Sequence, residues 1–346
     1  MRFFDFITAW RTEGVLLRAA WYTRNGSARD VLQTGELGQP VAGPGQVLVR
    51  VRAIGVNPSD SKARTGAPLP PGVERIVPHQ DGAGLIEKVG SGVPLSRVGE
   101  RVWIYEALHS GGTGCAAEYV VVPSANAIHL PDEVPFEVGA CMGVPALTAH
   151  RCVYADGPVA GLTLLVTGGA GSVGAHAIQF AQHGGAFVFT TVSNEKQAAI
   201  AHSSGADVVI DRTREDQLAR LRESVGGVRK RMVDRVIDVA FGANLETTMK
   251  VLKENGVIAT YSSDAKPEPT LPFFPLLRLG ASIRFIFVYN MSPEAHRAAI
   301  EATNLGLQEG WLQTTIAARF TLDQIVDAHE LSESGKSIGK VVILVD

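Results

Sequence analysis

Residues 162–181 read LTLLVTGGAGSVGAHAIQFA. The stretch opens on the apolar run Leu162–Val166. It passes through the turn Gly168-Gly169-Ala170-Gly171-Ser172-Val173-Gly174, and apolar residues then recur at helical spacing, at Val173, Ala177, Ile178 and Ala181. Strand, glycine turn and helix form the setting in which a G-x-G-x-x-G match carries meaning, and Gly169, Gly171 and Gly174 make that match here. Glycine lets the backbone take positive φ and approach a ligand closely. The helix that follows aims its free N–H groups and the positive end of its dipole at a pyrophosphate. The bare motif is weak in a chain with 37 glycines. The two flanks favour a dinucleotide cradle over a tight turn that binds nothing.

Downstream, strand and helix signals alternate. Phe187–Val192, Asp207–Ile210, Arg235–Val239 and Gly256–Tyr261 read as strands; Glu195–Ser203, Glu215–Val225 and Asn244–Lys253 read as helices. Such alternation predicts an α/β fold with a doubly wound parallel sheet. The proline-rich Lys266–Pro275 reads as an irregular connection, Ile283–Tyr289 as a strand and Pro293–Gln308 as a helix. Phe320–Ser334 reads as helical and Lys340–Val345 as a closing strand. Upstream, the regular pattern begins near Arg18. Val47–Ala53, Ala83–Val89, Arg101–Tyr105 and Ala117–Val122 are strand candidates separated by Gly-Pro clusters, which suggests a small barrel-like β-rich domain. Pro135–Met142 and Pro145–Tyr154 read as two short helices leading to the glycine turn.

A length of 346 residues suggests two domains or one large one. A net charge of −3 provides no broad basic field for nucleic acid or an anionic membrane. Cys115, Cys141 and Cys152 form neither a C-x-x-C pair nor a disulfide framework, so reduced thiols and a cytoplasmic location are expected. Apolar runs stay short of the roughly 18 residues of a membrane helix. Charges at Arg2, Asp5, Arg11 and Glu13 argue against a signal peptide. Residues 1–17 are either an amphipathic extension or an over-long start.

An NAD site usually places Asp or Glu about twenty residues beyond the glycines, at the end of the second strand. Here that strand ends Thr190-Thr191-Val192-Ser193, with Lys196 close by and Arg212 after the third strand. A hydroxyl and cations would accept a 2′-phosphate that a carboxylate would repel, so the cofactor read from these residues is NADPH. The competing reading makes Ser193 a helix N-cap and leaves Lys196 in water.

Further motifs carry a family resemblance. They are Gly55-Val56-Asn57-Pro58-Ser59-Asp60, Asp81-Gly82-Ala83-Gly84, Gly99-Glu100-Arg101-Val102, Ala117-Glu118-Tyr119-Val120, Pro145-Ala146-Leu147-Thr148-Ala149 and Gly339-Lys340-Val341-Val342. In this order the chain resembles, from Arg18 to its C-terminus, the zinc-independent quinone oxidoreductases. These are the zeta-crystallin-like branch of the medium-chain dehydrogenase/reductases. The resemblance implies a GroES-like catalytic domain over 1–145, a Rossmann domain over 146–289, a segment 290–346 that returns to the catalytic domain, and a cofactor in the cleft between the domains. It also implies a homodimer paired through the Ile283–Tyr289 strand. Implied cofactor contacts are Gly169, Ala170, Gly171, Ser172, Val173, Gly174, Ser193, Lys196, Arg212, Gly242, Tyr261, Ser262, Phe287, Val288 and Tyr289.

Zinc-using relatives need thiolate and imidazole ligands. By alignment with their pattern, Gln80 stands in place of a ligand histidine and Val144 in place of a cysteine, so no metal is expected. Hydride transfer to a quinone or an α,β-unsaturated carbonyl then needs donors for the developing oxyanion and a proton source. Asn57 is the main candidate for a polar contact, with Thr148 and Asp60 after it. Lys62 stands where many relatives carry tyrosine; it either neutralises an oxyanion, contacts phosphate or is solvated. Two other functions compete: a non-catalytic NADPH-binding protein, and a zinc-containing alcohol dehydrogenase, which the missing ligands disfavour.

Overall fold

The computed structural model describes residues 12–66, 69, 71–109, 113–224 and 233–346. Of these, the residues up to Val144 together with Ile316–Asp346 form one unit, and Pro145–Thr315 form the other.

In the first unit an antiparallel ribbon joins β1 (Thr12–Trp21) to β2 (Gln33–Pro40), with α1 (Ala28–Val31) between them. Regular structure therefore starts at Thr12, ahead of the expected Arg18; residues 1–11 lie outside the described residues. β3 (Gln46–Val56) is the hub, pairing with strands on both edges. Val47, Leu48, Val49 and Val51 are all buried, more than the half-buried alternation of the sequence suggested. α2 (Pro58–Thr65) follows, its proline pre-set for the first helical turn. β4 (Asp81–Val89), β5 (Arg101–Ile104), β6 (Tyr119–Pro123) and β7 (Ala127–His129) complete this part of the sheet. α3 covers only Phe136–Gly139, less than the expected Pro135–Met142. The N–H groups of Cys141 and Met142 bond three residues back, in the tighter 3-10 manner.

α4 (Val144–Tyr154) leads to the parallel sheet. Its elements are β8 (Thr163–Thr167), α5 (Ser172–His183), β9 (Phe187–Val192), α6 (Glu195–Ser203), β10 (Val208–Asp211) and α7 (Gln217–Ser224). β11 (Val233–Asp238), α8 (Phe241–Val251), β12 (Leu252–Thr260), α9 (Phe273–Leu279) and β13 (Ser282–Phe285) follow. The strand order is β10-β9-β8-β11-β12-β13, all parallel. This is the doubly wound Rossmann order, whose switch point lies between β8 and β11. Leu165, Phe189, Val236 and Ile258 pack its core.

Three expectations need correction here. α8 stops before Lys253, because Leu252 already pairs with Val233. α9 arises inside the segment read as irregular. Pro275 falls in its first turn, where a missing N–H costs nothing, and Gly280 closes it at φ 59°. β13 ends at Phe285, and Val288–Asn290 form a 3-10 turn instead of more strand.

α10 (Pro293–Gln308) is capped by Ser292, whose Oγ accepts from Ala295 N at 3.2 Å. It belongs to the second unit, so the return expected from residue 290 begins only at Ile316. β14 (Ile316–Thr321) occupies the start of the Phe320–Ser334 stretch read as helix. α11 (Ile325–Glu333) and β15 (Lys340–Leu344) follow. The sheet then runs β14-β15-β3-β4-β5-β7, with β6 also on β3. Among the described residues no helix is long and apolar enough to cross a membrane.

Candidate active site

In the second unit the glycine turn divides its labour. Gly168 takes the positive φ, 68°. A Cβ at Gly169 would stand 2.0 Å from Thr190 Oγ1, and one at Gly174 would stand 2.3 Å from Gly168 O. These two glycines let strand, turn and helix close on each other. At Gly171 a Cβ would meet only Gly168 O, at 3.3 Å. Gly171 is exposed and precedes Ser172, the first residue of α5, so this is the side from which a phosphate can reach the helix N–H groups. The turn is tied to the second strand through Gly169 N to Thr191 O at 3.2 Å.

At the end of that strand Arg212 Nε donates to Ser193 Oγ at 2.8 Å. The α6 cap is Asn194, whose Oδ1 accepts from Gln197 N at 2.9 Å, so Ser193 is not the N-cap of the competing reading. Lys196 is exposed in the first turn of α6. Hydroxyl and guanidinium thus meet at the end of β9, with Lys196 exposed one helical turn on.

Around the other sheet ends, a cavity of about 430 Å³ is lined by Phe241, Tyr261, Ser262, Phe285 and Phe287, among others. Burial and the neighbouring Cys152 and Asp238 push the Tyr261 phenol far above its ordinary pKa. Val288 and Tyr289 are buried. Gly242 lies beneath a turn, its N–H given to Ser263 Oγ at 2.9 Å. The sequence reading missed Asp238. Its Oδ1 accepts from Thr167 Oγ1 at 2.8 Å, Ala240 N at 2.9 Å and Asn244 Nδ2 at 2.8 Å, latching β8 to β11 beside the glycine turn.

In the first unit Asn57 and Asp60 come together at the start of α2, both buried. Asn57 N donates to Asp60 Oδ2 at 2.8 Å. Asn57 Nδ2 donates to Asp81 Oδ2 at 2.7 Å, and the buried ammonium of Lys340 donates to Asn57 Oδ1. Asp81 also accepts from Val144 N at 3.0 and 2.9 Å. Burial raises the Asp81 carboxyl to about 7, against the opposing pull of Lys340 and the Asn57 amide. His79 Nδ1 stands 3.1 Å from Asp60 Oδ2, and His79 Nε2 stands 3.2 Å from His329 Nε2. Burial raises the Asp60 carboxyl, but His79 and the Asn57 N–H outweigh it and leave the net shift downward. Asp81, Lys340, His79 and His329 were not among the expected site residues. The one sequence signal for Lys340 was its place in the terminal Gly339-Lys340-Val341-Val342 motif. Lys62 is exposed on α2, and Thr148 is buried on α4.

Two family descriptions match the chain: "Alcohol dehydrogenase GroES-like domain" over residues 43–132 and "Zinc-binding dehydrogenase" over residues 172–304. A 2-methylene-furan-3-one reductase of Solanum lycopersicum is 30% identical over 344 residues, spanning 94% of this chain and 78% of that one. The quinone oxidoreductase of Lama guanicoe is 29% identical over 336 residues, spanning 95% and 98%. The chain belongs to the quinone oxidoreductase branch of the medium-chain dehydrogenase/reductase superfamily. A mycobacterial structure complexed with NADPH superposes with a TM-score of 0.82 at 28% identity, over 95% of this chain and 100% of that one.

Among the described residues the zinc in one family description finds no donor set. Gln80 Oε1 accepts from Leu108 N and His109 N, each at 3.1 Å. His79 has both ring nitrogens in hydrogen-bond contact. Among the described residues no group of three or more His, Cys, Asp or Glu side chains converges as metal ligands.

Proposed function

We propose that this chain is an NADPH-dependent reductase of quinones or α,β-unsaturated carbonyls that works without a metal. NADPH supplies the hydride. Gly169–Gly174 offer backbone N–H groups to the pyrophosphate. Ser193 and Arg212, with Lys196, hold the 2′-phosphate, and the Ser193–Arg212 contact is the single observation that carries the cofactor choice. Tyr261, Ser262 and Phe287 line a cavity that also holds Phe241 and Phe285, aromatic surface suited to a flat ring. Lys62 and Thr148 are assigned as donors to the oxygen that gains charge. Asn57, with one Nδ2 hydrogen beyond its bond to Asp81, is the main candidate for a further polar contact, and Asp60 holds the Asn57 N–H. Zinc independence rests on the chemistry of the side chains just described.

NADPH oxidation with a panel of ortho-quinones, para-quinones and alkenals tests this reading. Turnover of at least one class is expected, and full activity after chelation. In the same assay Lys196→Ala should raise the KM for NADPH about tenfold, one ion-paired contact's worth, while leaving the KM for NADH nearly unchanged. Tight NADPH binding without turnover across the panel would transfer the chain to the non-catalytic reading.

We also infer a cytoplasmic homodimer paired through β13. That strand lies at the sheet edge, and Phe273, Phe274, Leu277 and Phe285 are exposed nearby. Light scattering should give twice the chain mass. Phe285→Lys should shift it toward the monomer.

A further inference from the structure

His79 is one of three non-glycine residues with positive φ among the described residues, at 76°. A histidine held there is strained, and such strain persists only where the surroundings impose it and something is gained. The surroundings are plain. Cys115 N donates to His79 O at 2.9 Å, Ala116 N to Pro78 O at 3.1 Å and Ala107 N to Gln80 O at 3.0 Å. A Cβ at Gly114 would stand 1.8 Å from Val77 O. The backbone of residues 77–80 is clamped, and the His79 ring is aimed into the interior.

The gain lies in the ring. Asp60 is a carboxylate, so His79 Nδ1 must donate to it at 3.1 Å. His79 Nε2 is then an acceptor in the neutral ring, and His329 Nε2 must donate to it at 3.2 Å. His329 Nδ1 is left to accept, and Ser61 Oγ lies 3.5 Å away. With both rings neutral, one set of tautomers satisfies the whole line, running Ser61 to His329 to His79 to Asp60. Both rings are buried, and burial holds His329 neutral, its pKa lowered to about 3. The line ends on the Asp60 oxygen that also accepts the Asn57 N–H.

We propose that His79 and His329 are positioning residues for the reductase site. Their buried pair orients the Asp60 carboxylate and, through it, fixes the Asn57 end of α2, the helix that carries Lys62. The inference rests on the reductase reading for its kinetic readout and is independent of it for its spectroscopic one.

His79→Gly tests it, because glycine relieves the φ strain while removing the ring. His79→Asn, which also tolerates positive φ, guards against a folding failure caused by the cavity. Both variants should fold and bind NADPH within about twofold of the parent by fluorescence titration. Both should lose kcat about 10- to 100-fold, the scale of misplaced reacting groups, with KM for the acceptor changed less. Added imidazole should restore a large part of kcat in His79→Gly and none in His79→Asn. Nitrogen NMR of the labelled parent should show His79 protonated on Nδ1 and His329 on Nε2. Unchanged kcat in both variants, absence of imidazole rescue, or another tautomer pair would overturn the proposal. So would about one zinc per chain bound by the two Nε2 atoms. If the parent binds NADPH but turns over nothing, the reductase reading fails alone, and the tautomer assignment still decides the pair.

Discussion

The glycine turn of the parallel sheet and the polar cluster at the start of α2 build their sites in opposite ways. The turn is local. Residues 168–174 follow one another, and at Gly169 and Gly174 a side chain is excluded. A Cβ at Gly169 or Gly174 would fall within 2.3 Å of another atom. The cluster is assembled from afar. Asn57, Asp60, His79, Asp81, His329 and Lys340 come from four stretches of chain and meet as buried side chains, each satisfied by the others. A site made of backbone tolerates many neighbours but no added atoms. A site made of buried polar side chains tolerates no missing partner.

The sharpest break in that comparison is Lys340→Met. It strips the buried cation from Asn57 and Asp81, and should cost about 3 kcal/mol or more of stability, as removal of one buried ionic partner does. Denaturant unfolding measures it. Adding Asp81→Asn should recover part of the loss, and strict additivity of the two changes would show that the residues do not act as one cluster.

Gly174→Val comes next. Overpacking at the turn costs about 1–3 kcal/mol, so NADPH affinity should fall by up to about 100-fold with the first unit's melting behaviour retained. Calorimetric titration checks it, and undiminished binding would remove the close-packing role of Gly174.

Titrations probe the cluster in a third way. His329, with a folded pKa of about 3, binds its proton less readily in the folded state than in the unfolded one. Stability should therefore fall as pH drops from about 6.5 toward 3. Asp81 acts with the opposite sign. Its folded pKa of about 7 lies above its unfolded value, so stability should fall as pH rises from about 4 to 7. Unfolding curves across pH for His329→Gln and Asp81→Asn should each lose one of these slopes.

Legibility followed the same division. β8, the glycine turn and α5 stood out in 162–181 because period, glycine and helix signal are contiguous there. The β-α alternation from β9 to β12 was readable down to single strands. α9 was hidden by its prolines, which a first turn accepts. β14 went unread, and its end at Phe320-Thr321 was taken into a helix, because a short, half-exposed edge strand carries little pattern of its own. Ser193 and Arg212, which the structure brings into contact, were proposed as 2′-phosphate contacts from residue type at an expected place in the motif. Lys340 served only as one letter of a terminal motif, and no motif marks His329.

By itself the sequence determined the α/β class, the dinucleotide cradle and its likeness to metal-free reductases, because each of these is written in neighbouring residues with a period or a spacing. Only the tertiary structure decided that Asp81, Lys340, His79 and His329 converge on Asn57 and Asp60. Burial makes these groups depend on one another, and which residues share a buried volume is set by strand pairing across hundreds of residues, not by their order along the chain.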